Sequence, residues 1–81
     1  MGNKLINDIQ NLIDAIYDQH PSGGPLHIVL DDGNIDDDSI NWCLNNTIEN
    51  CDDIVMKVLC TTCAELLLNI PQEERIKLVE V

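Results

Sequence analysis

The spacing of apolar residues near the N-terminus predicts an amphipathic helix. Apolar side chains recur at intervals of three and four residues from Leu5 to Tyr17, and mostly acidic or amide side chains fill the positions between them. One side of the segment is therefore apolar over about four turns, a pattern typical of a helix packed on a core. Pro21 disfavours helix at the residue before it, so we expect the helix to end near Gln19 or His20.

Residues 26–30 interrupt this helical pattern. They read Leu-His-Ile-Val-Leu, with β-branched residues near the centre, and turn-forming residues flank them on both sides. This composition predicts a short extended segment, in which alternation would place His27 and Asp31 on one face. Because the chain offers no second strand, the segment would pack on helices, pair with a chain end or pair with a second molecule.

Helical periodicity then returns and predicts three further helices. Asp36 is the expected N-cap of the second helix, with a hydrophobic residue on each side of the cap. Asp52 or Asp53 caps the third helix, and its inward stripe is predicted to begin with Ile54, Val55 and Val58. Further apolar residues widen this stripe over most of the circumference, which predicts a central position. Pro71 opens a short fourth helix, because proline is tolerated in a first turn.

The whole chain is predicted to form one compact, mostly α-helical domain over residues 1–81. Four helices make the core, and one short extended segment, about residues 26–30, lies between the first and second helices. Tyr17 and Trp42 are the only aromatic residues, and an aliphatic core of this kind packs well between helices. We find no signal peptide and no apolar run of about 20 residues, so we expect a cytoplasmic protein without membrane contact.

The distribution of charge restricts the partners. Between Lys4 and Lys57 the chain has no lysine or arginine but eleven acidic residues, and its net charge is −11. Such a surface repels nucleic acid and anionic membranes, and it attracts basic protein surfaces or divalent cations. Trp42 falls out of phase with the apolar face of its helix, so we expect a partly exposed interface anchor. The predicted partner-binding residues are Asp31, Asp32, Asp36, Asp37, Asp38, Trp42, Glu49, Asp52 and Asp53.

The acidic turn also invites a comparison with calcium sites. In the EF-hand register Asp32, Asn34 and Asp36 fit the first ligand positions. Asp37 then replaces the required glycine, and Cys43 replaces the bidentate glutamate. Capping and turn roles explain these acids without a metal, so we predict no metal site and no cofactor.

The four cysteines are explained most simply by burial. Cys60 and Cys63 form a C-x-x-C in the middle of a predicted helix, whereas zinc motifs place this spacing in a turn. A zinc site that also used Cys43 or Cys51 is an alternative. Free cysteine is among the most frequently buried residues, which favours packing for all four.

Catalytic chemistry has one candidate location. His27 with Asp31, Asp32 and Asn34 would give a metal-dependent or enzyme-like role, through a histidine–carboxylate pair. The chain contains no nucleophile motif, phosphate-binding loop or dinucleotide fingerprint. The sequence therefore favours a non-enzymatic role and predicts no catalytic residue.

A short motif carries a resemblance. The run GGPLHIVLDDGN at residues 23–34, with Ile35, Asp36 and the run INWC at residues 40–43, resembles small uncharacterised proteins of phages and prophages of Gram-positive bacteria. The resemblance spans about residues 22 to 44 and brings no activity or functional residue. It implies a phage accessory protein. We therefore expect an acidic inhibitor or regulator that docks on a basic, nucleic-acid-binding host protein, with a homodimer as a further alternative.

Overall fold

Five helices make up the part of the chain that the computed structural model describes, residues 2–33 and 35–78. They are α1 (Gly2–Gln19), α2 (Gly24–Asp32), α3 (Asp37–Asn50), α4 (Ile54–Leu68) and α5 (Gln72–Lys77). The Cα radius of gyration is 11.5 Å, close to the value of about 12 Å for a folded chain of this length. The prediction of a compact, mostly helical protein is confirmed. None of the described helices is both long and apolar enough to cross a bilayer.

The predicted extended segment is wrong, because residues 26–30 lie inside α2. Pro25 occupies the first turn of this helix and Gly33 ends it with a left-handed φ of 81°, which are the usual start and stop signals of a helix. Helical spacing buries Leu26 and Val29 together, and this burial outweighs the local β-propensity of the segment. The described part therefore has a fifth helix where the sequence predicted a strand, and it offers no strand edge for pairing with a second molecule.

Gly23 allows α2 to begin close against α1. Its φ is 79°, and a Cβ atom at this position would lie 2.7 Å from Cε1 of Tyr17 and 2.9 Å from Cβ of His27. Only glycine combines this conformation with so close an approach. The position of α2 relative to α1 therefore depends on this one residue.

The core is formed mainly where α4 packs against α1 and α3, and α2 packs against α3. The predicted central position of α4 agrees with these contacts, but its inward face differs from the predicted one. Ile54, Val55 and Val58 were expected to face the core, yet each is more than half exposed. Apolar residues surround α4, so the sequence pattern could not fix its rotation. The buried apolar side chains are Ile9, Ile16, Leu26, Val29, Ile35, Ile40, Cys43, Met56, Cys60, Cys63, Ala64, Leu67 and Ile70.

A buried arginine joins α4, α5 and the segment that precedes α3. Nε of Arg75 donates to the carbonyl oxygens of Leu67 at 2.7 Å and Ile70 at 3.1 Å, and Nη1 donates to the carbonyl of Ile35 at 3.1 Å. Ile35 is fully buried and has a φ of 46°, an unfavourable conformation for a β-branched residue. The same Nη1 lies 2.7 Å from a carboxylate oxygen of Asp37. Arg75 therefore fixes the position at which α3 begins.

Candidate functional site

An open groove of about 760 Å³ runs between α2 and α3. We call it the α2–α3 groove. It brings together residues that the sequence had divided between a partner-binding surface and an enzyme-like site. Its lining includes His27, Ile28, Asp31, Asp32, Asp38 and Trp42.

Two exposed apolar side chains lie in the groove, one from each helix. Ile28 on α2 is 57 % exposed and Trp42 on α3 is 45 % exposed. The partial exposure of Trp42 confirms the prediction made from its phase on the helix. Exposed apolar side chains gathered in a concave site mark a binding surface more often than scattered ones do. Ile28 was not among the predicted partner-binding residues, because alternation in a strand would place it on the face opposite His27 and Asp31, whereas in the helix it lines the same groove.

Three carboxylates surround these apolar side chains. Asp31 and Asp32 occupy the last turn of α2, which contains no basic residue, and Asp38 occupies the first turn of α3. The helix dipole disfavours negative charge at a C-terminus and favours it at an N-terminus, so only Asp38 stabilises its own helix. Within residues 2–33 and 35–78, no salt bridge neutralises any of the three. The groove therefore presents uncompensated negative charge.

The neighbouring acids of the same turn are used by the fold. Oδ1 of Asp36 accepts a hydrogen bond from the backbone N–H of Ser39 at 2.9 Å, which confirms the predicted N-cap. This hydrogen bond lowers the pKa of Asp36. Asp37 forms the ion pair with Arg75. Both residues therefore have structural roles, and their assignment to partner binding remains a prediction.

The remaining predicted acids lie away from the groove. Oδ1 of Asp53 caps α4 by accepting from the backbone N–H groups of Val55 and Met56, at 2.9 and 3.3 Å. Asp52 is exposed in the connection before α4, and Glu49 is exposed near the end of α3. Eleven residues of helix separate Glu49 from Asp38, or about 16 Å along the axis. The structure thus brings together Asp31, Asp32, Asp38 and Trp42, but not these three.

A tyrosine and a histidine meet at the α1 side of α2. Oη of Tyr17 lies 3.1 Å from Nδ1 of His27. Partial burial raises the pKa of Tyr17, and the charge of Asp31 raises it further, so the phenol keeps its proton at neutral pH. Tyr17 was not among the predicted site residues, because only the packing of α1 on α2 brings it there.

Three of the four residues of the enzyme-like alternative lie in the part of the chain that the structure describes. His27, Asp31 and Asp32 all line the groove, whereas Asn34 lies outside the described residues. Among the described residues, no group of three or more histidine, cysteine or acidic side chains is arranged to hold a metal ion.

The cysteines lie in α3, in α4 and between them, and all four are free thiols. Burial, together with a smaller effect of neighbouring thiols, raises the pKa of Cys60 to about 11 and that of Cys63 to about 12. Burial also raises the pKa of Cys43. These three thiols remain uncharged at neutral pH, so they act as small apolar side chains of the core.

No family model, curated protein or solved structure matches this chain. The groove combines exposed apolar side chains with carboxylates that have no cation beside them in the described part of the chain.

Proposed function

We propose that this chain is a small acidic, non-enzymatic binding protein that docks through the α2–α3 groove on a basic surface of a host protein. The host surface is one that binds nucleic acid, and the chain acts as a phage-type inhibitor or regulator in the cytoplasm. One observation carries the proposal: exposed Ile28 and Trp42 share a groove with the unneutralised Asp31, Asp32 and Asp38.

The two kinds of side chain supply different parts of a binding energy. Partly exposed tryptophan is a frequent hot spot, because its removal from water on binding contributes more than most interface contacts. Ile28 enlarges the apolar area beside it. The carboxylates accelerate encounter with a basic surface and select against acidic ones. Affinity is therefore expected from the apolar pair and specificity from the acids.

Asp31 and Asp32 are unfavourable for the stability of α2, and this supports a role for them in binding a partner. Asp31 and Asp32 lie at the end of α2 where the helix dipole disfavours them, and no basic residue in the last turn compensates. Asp36 and Asp53, by contrast, cap their helices, so the fold accounts for their presence. A partner that brings cations accounts for Asp31 and Asp32.

Competition with nucleic acid follows from the charge of the chain. With a net charge of −11 on 81 residues, the protein repels nucleic acid and is attracted by the surfaces that bind it. A copy docked on such a surface would occupy phosphate-binding side chains. Inhibition by occlusion is the regulatory mode that this charge favours.

Affinity capture from a nuclease-treated lysate of a Gram-positive bacterium tests the proposal. The comparison uses the wild type and D31N/D32N/D38N, which leaves the shape of the groove unchanged and removes its charge. We expect the wild type to retain basic nucleic-acid-binding proteins that elute as ionic strength rises, and the variant to lose them.

A charge-matched control separates the groove from the overall charge. D8N/D14N/E65Q removes the same number of charges at exposed positions on α1 and α4, outside the groove. We expect this control to retain the same proteins as the wild type. Equal retention by all three chains would mean that net charge alone drives capture, and the docking proposal would fail.

An enzyme-like role of His27, Asp31, Asp32 and Asn34 is the second candidate. The hydrogen bond between Tyr17 and His27 favours it, because it orients the imidazole beside the acids of the groove. Substitution H27Q keeps polarity and removes the titratable ring. Under the docking proposal H27Q captures the same proteins as the wild type, whereas loss of the biological effect without loss of capture would favour the enzyme-like role.

A further inference from the structure

Two adjacent aspartates in the first turn of α3 differ, because one has a cationic partner and the other has none among the described residues. Asp37 pairs with Arg75, the only arginine of the chain, on the side that faces α5. Asp38 lines both the α2–α3 groove and the depression beside Arg75, but no salt bridge among the described residues neutralises it. The groove side is thus a carboxylate site that lacks the counter-ion its neighbour has.

We infer that the groove recognises an arginine side chain of the partner, an inference that rests on the proposed docking function. The guanidinium group is held between Asp38 on α3 and the carboxylates of Asp31 and Asp32 on α2. Its flat face and its aliphatic stem lie on the indole of Trp42. This names the chemistry of the partner residue, which the docking proposal leaves open.

Carboxylates on two separate helices favour arginine over lysine. A guanidinium is planar and carries five N–H donors in a fixed fork, so one group can donate to both walls of a groove. An ammonium is a compact charge that is more strongly hydrated, and moving it out of water costs more. Asp38 lies on one wall of the groove and the α2 acids lie on the other.

The chain's own arginine shows that one guanidinium can join separate segments of this fold. Arg75 donates to carbonyls of Leu67, Ile70 and Ile35 and also meets the Asp37 carboxylate. That site uses carbonyls and one acid. The groove offers three acids instead, together with the negative end of the α2 dipole.

Trp42 adds a contact that discriminates between the two cations. Its indole is 45 % exposed and lines the groove together with the carboxylates. Arginine stacks on aromatic faces more often than lysine does, and tryptophan is the best such partner. A cation held over the indole also shields the apolar surface of Ile28 from water with its methylene stem.

Three dye-labelled peptides with acetylated and amidated ends test the inference. The first is an amphipathic peptide of leucine, alanine and arginine, the second has lysine at every arginine, and the third has the neutral isostere citrulline there. Trp42 is the only tryptophan of the chain, so its fluorescence reports binding directly. We expect the arginine peptide to bind about fivefold more tightly than the lysine peptide, and the citrulline peptide to bind the most weakly.

Two variants assign the preference to the groove. In W42L, followed by anisotropy of the labelled peptides, we expect both cationic peptides to bind more weakly and the preference for arginine to become smaller, because only the contribution of the carboxylates remains. In D31N/D32N/D38N we expect the arginine peptide to bind no better than the citrulline peptide, while D8N/D14N/E65Q behaves as the wild type.

The outcomes separate this inference from the docking proposal. Equal binding of the arginine and lysine peptides, or absence of peptide binding, overturns the arginine inference, and docking stands if lysate capture still depends on the groove. A preference for arginine that is undiminished in W42L also overturns the inference. Loss of groove dependence in both the peptide and the lysate experiments overturns both proposals.

Discussion

The two sides of the α3 N-terminus carry the same kind of residue and do different things. Toward α5, Asp36 caps the helix and Asp37 pairs with buried Arg75. Toward α2, Asp38 shares a groove with Asp31, Asp32 and the exposed Trp42, and no described cation neutralises these acids. We call the first the Arg75 side and the second the groove side.

The acids of the Arg75 side and those of the groove side are therefore not one functional unit, although they are close in the sequence. On the Arg75 side the carboxylates satisfy backbone N–H groups and a buried charge, so their removal is expected to weaken the fold. On the groove side two of the three carboxylates oppose a helix dipole, so their removal is expected to strengthen the fold and to weaken binding. The same chemical change should therefore have opposite effects on the two sides.

The largest change in stability is expected when the contacts of Arg75 are removed. R75M keeps an unbranched stem of similar length but leaves buried carbonyls without donors, so we expect the free energy of unfolding to fall by about 2–4 kcal/mol. Urea denaturation followed by circular dichroism measures the loss. K77M on the same helix removes a cation whose ion pair with Glu74 is largely exposed, and a change below about 0.5 kcal/mol is expected. Similar losses in both variants would show that the contacts of Arg75 with α4 and with the segment before α3 do not stabilise the fold.

A smaller loss of stability is expected when α2, which forms one wall of the groove, is displaced. G23A places a Cβ within 3 Å of Tyr17 and of His27 and strains a φ of 79°. We expect a loss of about 1–3 kcal/mol and weaker binding in the groove, because α2 must move.

Gly33 provides the matched control for this substitution. Its φ is 81°, but a Cβ there would meet nothing within 4 Å, so G33A reports the conformational strain alone, about 1 kcal/mol. Thermal unfolding compares the two variants. If G33A is as damaging as G23A, then the close approach of α1 and α2 does not matter.

Substitutions of single acids test the opposite signs directly. We expect D31N and D32N each to raise the free energy of unfolding by about 0.3–1 kcal/mol, because each relieves an unfavourable interaction with the α2 dipole. D37N should lower it by about 1 kcal/mol, a value reduced from that of a buried pair because Asp37 is largely exposed. Chemical denaturation of the three variants in one buffer is the measurement. A gain in D37N, or a loss in D31N and D32N, would contradict the division into two sides.

The smallest effect concerns pH and the Asp36 cap. The hydrogen bond from Ser39 holds the folded pKa of Asp36 below its ordinary value of 3.8. A carboxyl group whose pKa is lower in the folded state stabilises the fold above the unfolded pKa and loses that contribution as pH falls through the folded pKa. The stability difference between the wild type and D36N should therefore shrink on the acid side of pH 3.8. A difference that stays constant from neutral to acid pH would argue against a charged cap.

Part of this architecture was open to prediction. Periodic apolar residues located α1, α3 and α4, and the Asp36 cap follows from the residue type and its position before an apolar run. An extended segment was predicted in place of α2, because two adjacent β-branched residues were given more weight than Pro25 at the start and Gly33 at the end. Greater weight on proline near the start and glycine at the end would have found the helix.

The groove could be predicted only in part. Exposure of Trp42 and the acidity of its surroundings followed from the phase of one helix and from composition. The contribution of Ile28 required knowledge that residues 26–30 are helical. The separation of Asp37 from Asp38 required the position of Arg75, which lies 38 residues further along the chain than Asp37.

The sequence by itself determined that this protein is helical, acidic and built on an aliphatic core, because apolar spacing and net charge are local or summed properties of the chain. Tertiary structure alone decided which acids are neutralised and which remain available. A carboxylate is compensated only by a donor or cation within a few ångströms, and for Asp37 and Asp38 that neighbourhood is set by helices distant in sequence. Two adjacent aspartates therefore differ, because Asp37 has an ion pair with Arg75 and Asp38 has none among the described residues.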